Sequence, residues 1–169
     1  MKRDKKAFTF IETVISLSLL AIIFIGFAKV SQVGMSSVYK TNQEIIATNL
    51  ARGLMTEIMS KKFDENDALP WTAPVSLGPE ASPAETRHGA TRFDDVDDYH
   101  NYAEPIPPLT IGNQVMDYYS GFSRSVSVKY VTAAMQDSVV TATDYKKVEV
   151  TVNASGIPSF KLTEVKASQ

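Results

Sequence analysis

The sequence contains no cysteine among its 169 residues. Disulfides and thiolate metal sites are therefore excluded as sources of stability. Proline is also absent before Pro70, so nothing in the first third of the chain prevents a long continuous helix. The motifs HExxH, GxSxG and GxxxxGK[ST] do not occur, and no thiol nucleophile is available. We therefore expect that the protein is not an enzyme and that it has no catalytic residues.

Charge is divided unevenly along the chain. Those six carry a net charge of +3, from Lys2, Arg3, Lys5 and Lys6 against Asp4, so the rest of the chain carries −5 of the total of −2. Binding of phosphate groups requires clustered Lys and Arg side chains. No nucleic acid is therefore expected as a partner. The apolar content of 44% is enough for one domain with a modest core and an anchor.

One long apolar stretch, from Phe8 to Ala28, is present near the amino terminus. About twenty helical residues span a hydrocarbon layer about 30 Å thick, and the basic residues in front predict a cytoplasmic amino terminus. Three interpretations are open. A secretory signal peptide would be cleaved after Gly26-Phe27-Ala28, a signal anchor would stay uncut, and a third processing event would cut between Ala7 and Phe8.

Glu12 is the one charged residue in this stretch, and it favours the third interpretation. A carboxylate near the centre of a membrane helix costs about 2.5 to 3.5 kcal/mol, and less toward the helix end. Neither a signal peptide nor a plain anchor has a use for it. Cleavage before Phe8 would create an ammonium group at a matching depth, and the ammonium of a neighbouring subunit would neutralise Glu12 and set the stagger between subunits. The alternative is a carboxylate that reaches the membrane interface and is solvated there.

The segment KKAFTFIETVISLSLL, which begins at Lys5, resembles the leader and amino-terminal helix of type IV pilins and type II secretion pseudopilins. The resemblance implies cleavage between Ala7 and Phe8 by prepilin peptidase, followed by methylation of the Phe8 nitrogen. It also implies an assembly charge pair between Glu12 and the Phe8 ammonium. Ala7 departs from the family pattern, in which glycine is usual at this position.

Four further blocks, IMSKKFDEN, RFDDVDDYHNY, YSGFSRSVSVKYV and KKVEVTVN, resemble the minor pilins of the mannose-sensitive haemagglutinin (MSHA) pilus system. The resemblance covers most of the chain in order, and the segment from Ala68 to Glu85 matches least. It implies a structural subunit that crosses the bacterial inner membrane once, with a periplasmic head, and then enters a cell-surface pilus. The implied partners are other pilins and minor pilins, prepilin peptidase and inner-membrane lipid.

Three alternatives remain open from the sequence. The first is a pseudopilin of a type II secretion machine. The second is an adhesin-like binding module at a pilus tip, whose glycan site would use exposed aromatic residues such as Trp71 and Tyr99. The third is a membrane-anchored or secreted domain with a calcium-dependent role unrelated to fibres.

The helix that begins in the apolar stretch is predicted to continue to about Lys62. Four aliphatic residues recur at every fourth position and form one stripe, while polar residues occupy the other faces. These residues are Ile46, Leu50, Leu54 and Ile58. A helix from Phe8 to Lys62 is about 80 Å long, and we expect its second half to pack on a head domain through this stripe.

The final third of the chain is predicted to form a sheet. SVSVKYVTA, KKVEVTVNA and SFKLTEVKA alternate apolar and polar residues, and Gly156 lies in a turn that predicts a hairpin between the last two. The first strand is expected to begin as early as Tyr118. The residues expected to face the helix are Val126, Val128, Tyr130, Val148, Val150 and Val152. The predicted fold class is α+β, with a long amino-terminal α-helix packed on a carboxy-terminal antiparallel β-sheet, as in type IV pilins.

These patterns divide the chain into five segments. The first two are a leader over residues 1–7 and a transmembrane and assembly helix over residues 8–29. The amphipathic half of the same helix covers residues 30–63. An irregular connection over residues 64–121 and an antiparallel meander over residues 122–169 complete the chain.

The connection is marked by its composition, since Phe63 to Pro108 contains all but one of the eight prolines and few aliphatic residues. Loops of this length are usually functional or held in place by other contacts. We expect four aromatic residues to hold this one by packing on the sheet. They are Trp71, Phe93, Tyr99 and Tyr102.

Four carboxylates in five positions, Asp94, Asp95, Asp97 and Asp98, suggest calcium, which prefers hard oxygen ligands. The segment does not fit an EF-hand, because the sixth position from Asp95 is His100 and not glycine. The simpler interpretation is that some of these aspartates cap a short turn or accept backbone hydrogen bonds while the rest are solvated. No cofactor is expected apart from calcium.

A transition-metal site is not predicted. The two histidines of the chain, His88 and His100, are separated by a flexible stretch, and no cysteine is available to join them.

Overall fold

The structure is a computed structural model that describes residues 9–81 and 83–168. Ala7 and Phe8, the predicted cleavage and methylation site, lie outside the described residues. One α-helix, α1, covers Phe10–Met59, and four strands follow. The strands are β1 (Phe122–Val131), β2 (Asp137–Ser138), β3 (Tyr145–Ala154) and β4 (Phe160–Ala167). The predicted α+β class and the continuation of the helix past residue 29 are both confirmed.

The chain divides into two compact units, Met1–Asn42 and Gln43–Gln169. In the second unit, the helical segment from Gln43 onward supplies one side of the hydrophobic core. Leu50, Leu54 and Ile58 are buried as the stripe predicted, and Ile46 is partly buried against the same core. The buried residues that complete this helix face are Ala47, Ala51 and Met55.

The sheet supplies the other side of the core. It is antiparallel with the strand order β2-β1-β3-β4. Val126 is paired with Val150, and Val128 with Val148, so the inward valines of the two central strands lie side by side. All six residues predicted to face the helix are buried. Gly156, with a φ of +86°, lies in the turn of the predicted hairpin between β3 and β4, which is confirmed.

The expected early start of the first strand is wrong. Asp117–Tyr119 forms a 3₁₀ helix, and β1 begins only at Phe122. The sequence from Tyr118 to Phe122 has two adjacent tyrosines and does not alternate apolar with polar residues. In a strand, its apolar side chains would therefore lie on both faces of the sheet. Instead, the Tyr119 ring packs edge-on against the ring of Phe122, with centroids 6.3 Å apart.

Two cations lie on the inner face of the sheet. Arg124 on β1 and Lys146 on β3 have the same parity as the buried valines of their strands. Arg124 is 4% exposed and Lys146 is completely buried. Buried charges persist only when they are paired and hydrogen-bonded, and each of these cations binds carboxylates that belong to other parts of the chain.

Lys146 binds two distant parts of the chain, the start of the connection at Phe63 and Asp64 and the acidic segment at Asp97. Its Nζ donates to Oδ2 of Asp64 at 2.8 Å, to the carbonyl of Phe63 at 2.6 Å and to Oδ1 of Asp97. The Tyr130 hydroxyl donates to Oδ2 of Asp64 at 3.0 Å. Burial alone would raise the pKa of Asp64, but the hydrogen bond and charge of Lys146 outweigh burial and lower it. One ammonium group thus joins the segment that follows α1, the acidic segment and the sheet.

A second network joins α1, the connection and β1. Arg87 donates from Nε and Nη2 to the two carboxylate oxygens of Glu57 at 2.8 and 2.6 Å, and its Nη1 donates to Glu104. Glu104 also accepts hydrogen bonds from Arg124. The Tyr99 hydroxyl donates to Glu57 at 2.8 Å. Two cations and two carboxylates therefore alternate in one buried chain of hydrogen bonds.

Aromatic packing holds the connection, as predicted, for three of the four residues named above. Phe93 and Tyr99 are buried, Tyr102 is partly buried against the core, and their rings meet edge to face. Trp71 instead packs on Phe63, with ring centroids 5.1 Å apart. Its indole nitrogen donates to Asp144 at 2.9 Å, just before β3.

Replacing Lys146 by methionine should destabilise the head strongly, because the variant leaves Asp64 and Asp97 buried without their cation. Removing one partner of a buried ion pair typically costs about 3 to 5 kcal/mol. The measurement is urea unfolding of the full chain in detergent, followed by the fluorescence of Trp71, the one tryptophan of the chain.

The matched control is Lys147→Met on the opposite face of the same strand. Lys147 pairs with Asp137 at the surface, so its loss should change the free energy of unfolding by less than about 1 kcal/mol. Equal effects of the two substitutions would contradict the importance of the buried ammonium.

Acid should weaken the second network through Glu57. Burial alone would raise the pKa of Glu57, but the hydrogen bonds and charge of Arg87 lower it below its ordinary value of 4.5. A depressed pKa contributes stability that is present above the ordinary value and is lost as the pH falls through the value in the folded state. Glu57→Gln should therefore unfold about 1.5 to 3 kcal/mol more easily than the unchanged protein at pH 6, and this difference should narrow below pH 4.5.

The measurement is urea unfolding of both proteins between about pH 3 and pH 6.5, a range that brackets the carboxylate titrations. Glu44→Gln, on the exposed surface of the same helix, is the control and should lie within about 0.5 kcal/mol of the unchanged protein at pH 6. If the difference in free energy of unfolding between Glu57→Gln and the unchanged protein is the same at every pH, the lowered pKa of Glu57 is contradicted.

Candidate functional site

The amino end of α1 is held by reciprocal hydrogen bonds between Thr9 and Glu12. The amide and the hydroxyl of Thr9 each donate to Oε2 of Glu12 at 2.9 Å, and the Glu12 amide donates to the Thr9 hydroxyl at 3.4 Å. This is the capping box, in which the residue before the helix and the third helical residue satisfy each other's backbone donors. The Thr-x-x-Glu pattern in the sequence predicts it, and our sequence analysis overlooked it.

The capping box orients the Glu12 carboxylate without neutralising it. Both donors to Oε2 are uncharged groups of Thr9, and Oε1 accepts no hydrogen bond from any residue of the described chain. Glu12 therefore presents one oxygen with no hydrogen bond from the described residues, together with a negative charge, at the start of the helix. The predicted partner, the ammonium of Phe8, lies outside the described residues, so the charge pair stays a prediction.

The helix surface beyond Glu12 is apolar and exposed. Phe10, Phe24 and Phe27 are 85%, 71% and 71% exposed, and no charged residue occurs between Glu12 and Lys29. In its length and composition α1 meets the requirements of a membrane-crossing helix. An apolar surface of this extent is stable only when lipid or other apolar helices cover it.

Two of the three hydroxyl groups in this segment, those of Thr13 and Ser18, donate to carbonyls of the preceding helical turn. Thr13 donates to the Phe10 carbonyl at 2.7 Å, and Ser18 donates to the Val14 carbonyl at 2.8 Å. Such bonds to the preceding turn remove the cost of placing a hydroxyl in an apolar environment. Thr13 and Ser18 therefore fit a lipid or helix-packed environment, and Glu12 stands apart as the charged exception.

The four aspartates of the acidic segment have separate structural roles. Oδ1 of Asp95 accepts from the amides of Asp97 and Asp98 at 2.8 and 3.2 Å, and Oδ2 of Asp98 accepts from the amides of Asp94 and Asp95 at 2.8 and 3.2 Å. Asp97 pairs with Lys146, and Asp94 is exposed. The turn-capping interpretation thus describes Asp95 and Asp98, and the four carboxylates do not surround one point.

Burial raises the pKa of Asp95 to about 8, with repulsion from Asp97 and Asp98 adding to the effect. Among the described residues, the carboxylates that do approach one another closely enough for one cation are Glu80, Glu85 and Asp98. Two of these three lie outside the acidic run that the sequence analysis singled out.

The remaining candidate residues are not assembled into a site. Nδ1 of His100 accepts from the Val128 amide at 3.3 Å, and burial together with the charge of Arg87 lowers the pKa of His88. The expectation that Tyr99 is exposed for a glycan is wrong, since its side chain is fully buried beneath the connection.

Comparison with protein-family models gives no match. Searches of the curated proteins and of the solved structures likewise give no significant match.

Proposed function

We propose that this chain is a minor pilin of the MSHA type, a structural subunit that α1 anchors in the bacterial inner membrane. Prepilin peptidase removes residues 1–7 and methylates Phe8, and the subunit then joins or primes a fibre through its amino-terminal helix. The observation that carries this proposal is the exposed, capped and charged Glu12 on a helix surface that is otherwise uncharged up to Lys29.

The first support is energetic. An unpaired carboxylate in an apolar layer costs about 2.5 to 3.5 kcal/mol at the helix centre and less near its end, and the neutral donors of Thr9 offset only part of this cost. A cation at the same depth removes the remainder. Cleavage before Phe8 would supply that cation, and no lysine, arginine or histidine between Phe8 and Ala28 is available instead.

The second support is geometric. The capping box holds Oε2 of Glu12 against Thr9, and no residue of the described chain donates a hydrogen bond to Oε1. A neighbouring subunit shifted along the helix axis can bring its terminal ammonium to this oxygen without breaking the cap. Each chain has one terminal ammonium and one Glu12. Pairing between them therefore fixes a single axial offset between adjacent helices.

The third support is the difference between the head, which has its own core, and the amino-terminal part of α1, whose apolar surface is exposed. The described part of the head is held by buried ion pairs and a helix-on-sheet core, whereas the apolar surface of α1 before Asn42 requires a cover from outside the chain. A structural subunit uses both features. The helix packs among other helices in lipid and then in a fibre, and the head determines which subunits it meets.

The mature amino terminus provides the first test. Mass spectrometry of the protein purified from bacterial membranes should find a chain that begins at methylated Phe8. A terminus at Lys29 would indicate a secreted domain, and an intact Met1 would indicate a plain anchor. Either result contradicts the proposed processing.

Substitutions at Glu12 and Thr9 separate the charge from the cap. Glu12→Gln keeps an acceptor at the third helical position, which still forms a capping box, but it removes the negative charge. We expect Glu12→Gln and Glu12→Leu to insert into the membrane normally. The amount of each variant in the sheared fibre fraction should fall at least tenfold, since a tenfold change corresponds to only about 1.4 kcal/mol.

Thr9→Ala is the matched control, because it removes the hydroxyl of the cap and keeps the charge of Glu12. It should enter fibres at close to the normal level. Normal incorporation of Glu12→Gln, or equal losses for Glu12→Gln and Thr9→Ala, would show that Glu12 acts only as a helix cap and would overturn its role in assembly.

A further inference from the structure

Three carboxylates that are distant in sequence converge in the connection. One oxygen from each of Glu80, Glu85 and Asp98 lies within 4.8 Å of the corresponding oxygens of the other two. Asp98 is fully buried, and the two glutamates are partly buried. The group is separate from the Lys146 network and from the amino-terminal helix.

Backbone hydrogen bonds hold the three carboxylates in place. The Glu85 amide donates to the Glu80 carbonyl at 3.1 Å, which closes a short loop with both glutamates at its base. Asp98 belongs to the 3₁₀ helix Asp97–Tyr99, and its Oδ2 accepts from the amides of Asp94 and Asp95. Hydrogen bonds of the main chain therefore help to position the three carboxylates, whose placement does not depend on flexible side chains alone.

The oxygens that remain have no hydrogen-bond partner among residues 9–81 and 83–168. Oδ1 of Asp98, Oε2 of Glu80 and Oε2 of Glu85 are buried and form no hydrogen bond within the described chain. The ion pairs of the described residues do not include any of these three carboxylates. Because Oδ2 of Asp98 is occupied by two amides, Oδ1 is its free ligand atom. Buried, unpaired negative charges are costly, and a cation is the group that would satisfy all three oxygens at once.

We propose that Glu80, Glu85 and Asp98 bind a calcium ion. Calcium takes oxygen ligands at about 2.3 to 2.6 Å, so two ligands on opposite sides of the ion lie about 4.6 to 5.2 Å apart. This span accommodates oxygens spread over as much as 4.8 Å. Magnesium, at about 2.0 to 2.1 Å and with strict octahedral geometry, requires a tighter group. A group that contains neither histidine nor cysteine disfavours the softer transition metals.

Protons are the competing occupants of this group. Burial, together with the charge of Asp98 and the neighbouring Glu80, raises the pKa of Glu85 to about 8. Burial is also the main reason that the pKa of Glu80 is raised. Calcium would displace these protons and draw the loop at Glu80 onto the turn at Asp98. Since Asp97 in the same turn binds Lys146, the ion would add a third attachment between the connection and the rest of the head.

The test uses the full chain in detergent, stripped of metal with EDTA and titrated with calcium chloride. Isothermal calorimetry should detect one site with a Kd of about 10⁻⁴ to 10⁻³ M, the range of extracellular calcium modules. At about 10 mM calcium the Tm of the head should rise by several degrees, because a ligand that binds only the folded state stabilises it. The same concentration of magnesium should produce less than half of this shift.

Glu85→Gln is the decisive variant, because it keeps the size of the side chain and removes the carboxylate that would bind the ion. It should weaken calcium binding at least tenfold and abolish most of the Tm shift. In EDTA at about pH 7 its Tm should equal or exceed that of the unchanged protein, since glutamine removes the free-energy cost of protonating a carboxyl whose pKa is raised to about 8 in the folded state. A variant that was merely misfolded would have a lower Tm in EDTA.

Asp94→Asn is the matched control from the acidic run, since Asp94 is exposed and outside the group. It should keep the full calcium response. The proposal is overturned by an unchanged heat and Tm at 10 mM calcium, by an equal response to magnesium, by a calcium response that survives Glu85→Gln, or by one that is lost in Asp94→Asn. None of these outcomes depends on assembly into a fibre, so they leave the proposed function untouched.

Discussion

The buried ammonium of Lys146 determines how the irregular part of the head is arranged. The connection has little aliphatic content and few backbone ladders, so hydrophobic burial alone cannot select one conformation for it. Lys146 cannot stay buried unless carboxylates reach it, and Asp64 and Asp97 are the two that do. The cost of isolating the charge is large compared with the total stability of a domain. Conformations in which Asp64 or Asp97 moves away from Lys146 are therefore strongly unfavourable, because they leave the ammonium without a full set of partners.

The charge balance of the buried groups differs between the two networks. Arg87 and Arg124 face Glu57 and Glu104, so the network that links α1 to β1 is neutral. Lys146 faces two carboxylates, and the adjacent turn contributes further buried acids without adding a cation. Acidic groups therefore outnumber cations on one side of the connection, and burial with mutual repulsion raises the pKa of Asp95 and of Glu85 to about 8. In the calcium proposal, this imbalance is the reason that Glu80, Glu85 and Asp98 would bind a cation, whereas the arginine network is already neutral.

The regular elements could be predicted because their signals are local. The i, i+4 spacing of Leu50, Leu54 and Ile58 and the alternation along β1 and β3 both act over a few residues, and both are confirmed in the core. Strand parity also places Lys146 on the inner face, although its acid partners could not be predicted. Asp64 and Asp97 lie 82 and 49 residues away from it, and no local pattern encodes contacts over such distances.

The same limit explains what the sequence analysis misjudged in the candidate sites. The run from Asp94 to Asp98 attracted attention because its carboxylates are adjacent in sequence, yet in the turn they point to different partners. Asp98 meets two glutamates from a segment in which the sequence offered no metal pattern. Tyr99 packs in the core as the aromatic pattern predicts, so only its exposure in the alternative glycan-binding role is wrong; its hydroxyl lies beneath the connection, where it donates to Glu57. The capping box at Thr9 and Glu12, in contrast, is a four-residue signal that was present and readable.

One electrostatic rule connects the head to the amino-terminal helix. In the described head, the acids of both networks meet a cation from the same chain, and the acids left over mark the place where an ion can bind. In α1 the apolar surface before Lys29 offers Glu12 no cation of its own chain, and the neutral donors of Thr9 orient the carboxylate without cancelling its charge. In the proposed assembly, the compensating charge is the terminal ammonium of a neighbouring chain in the same apolar layer. Repetition of that pairing along an axis would generate a fibre.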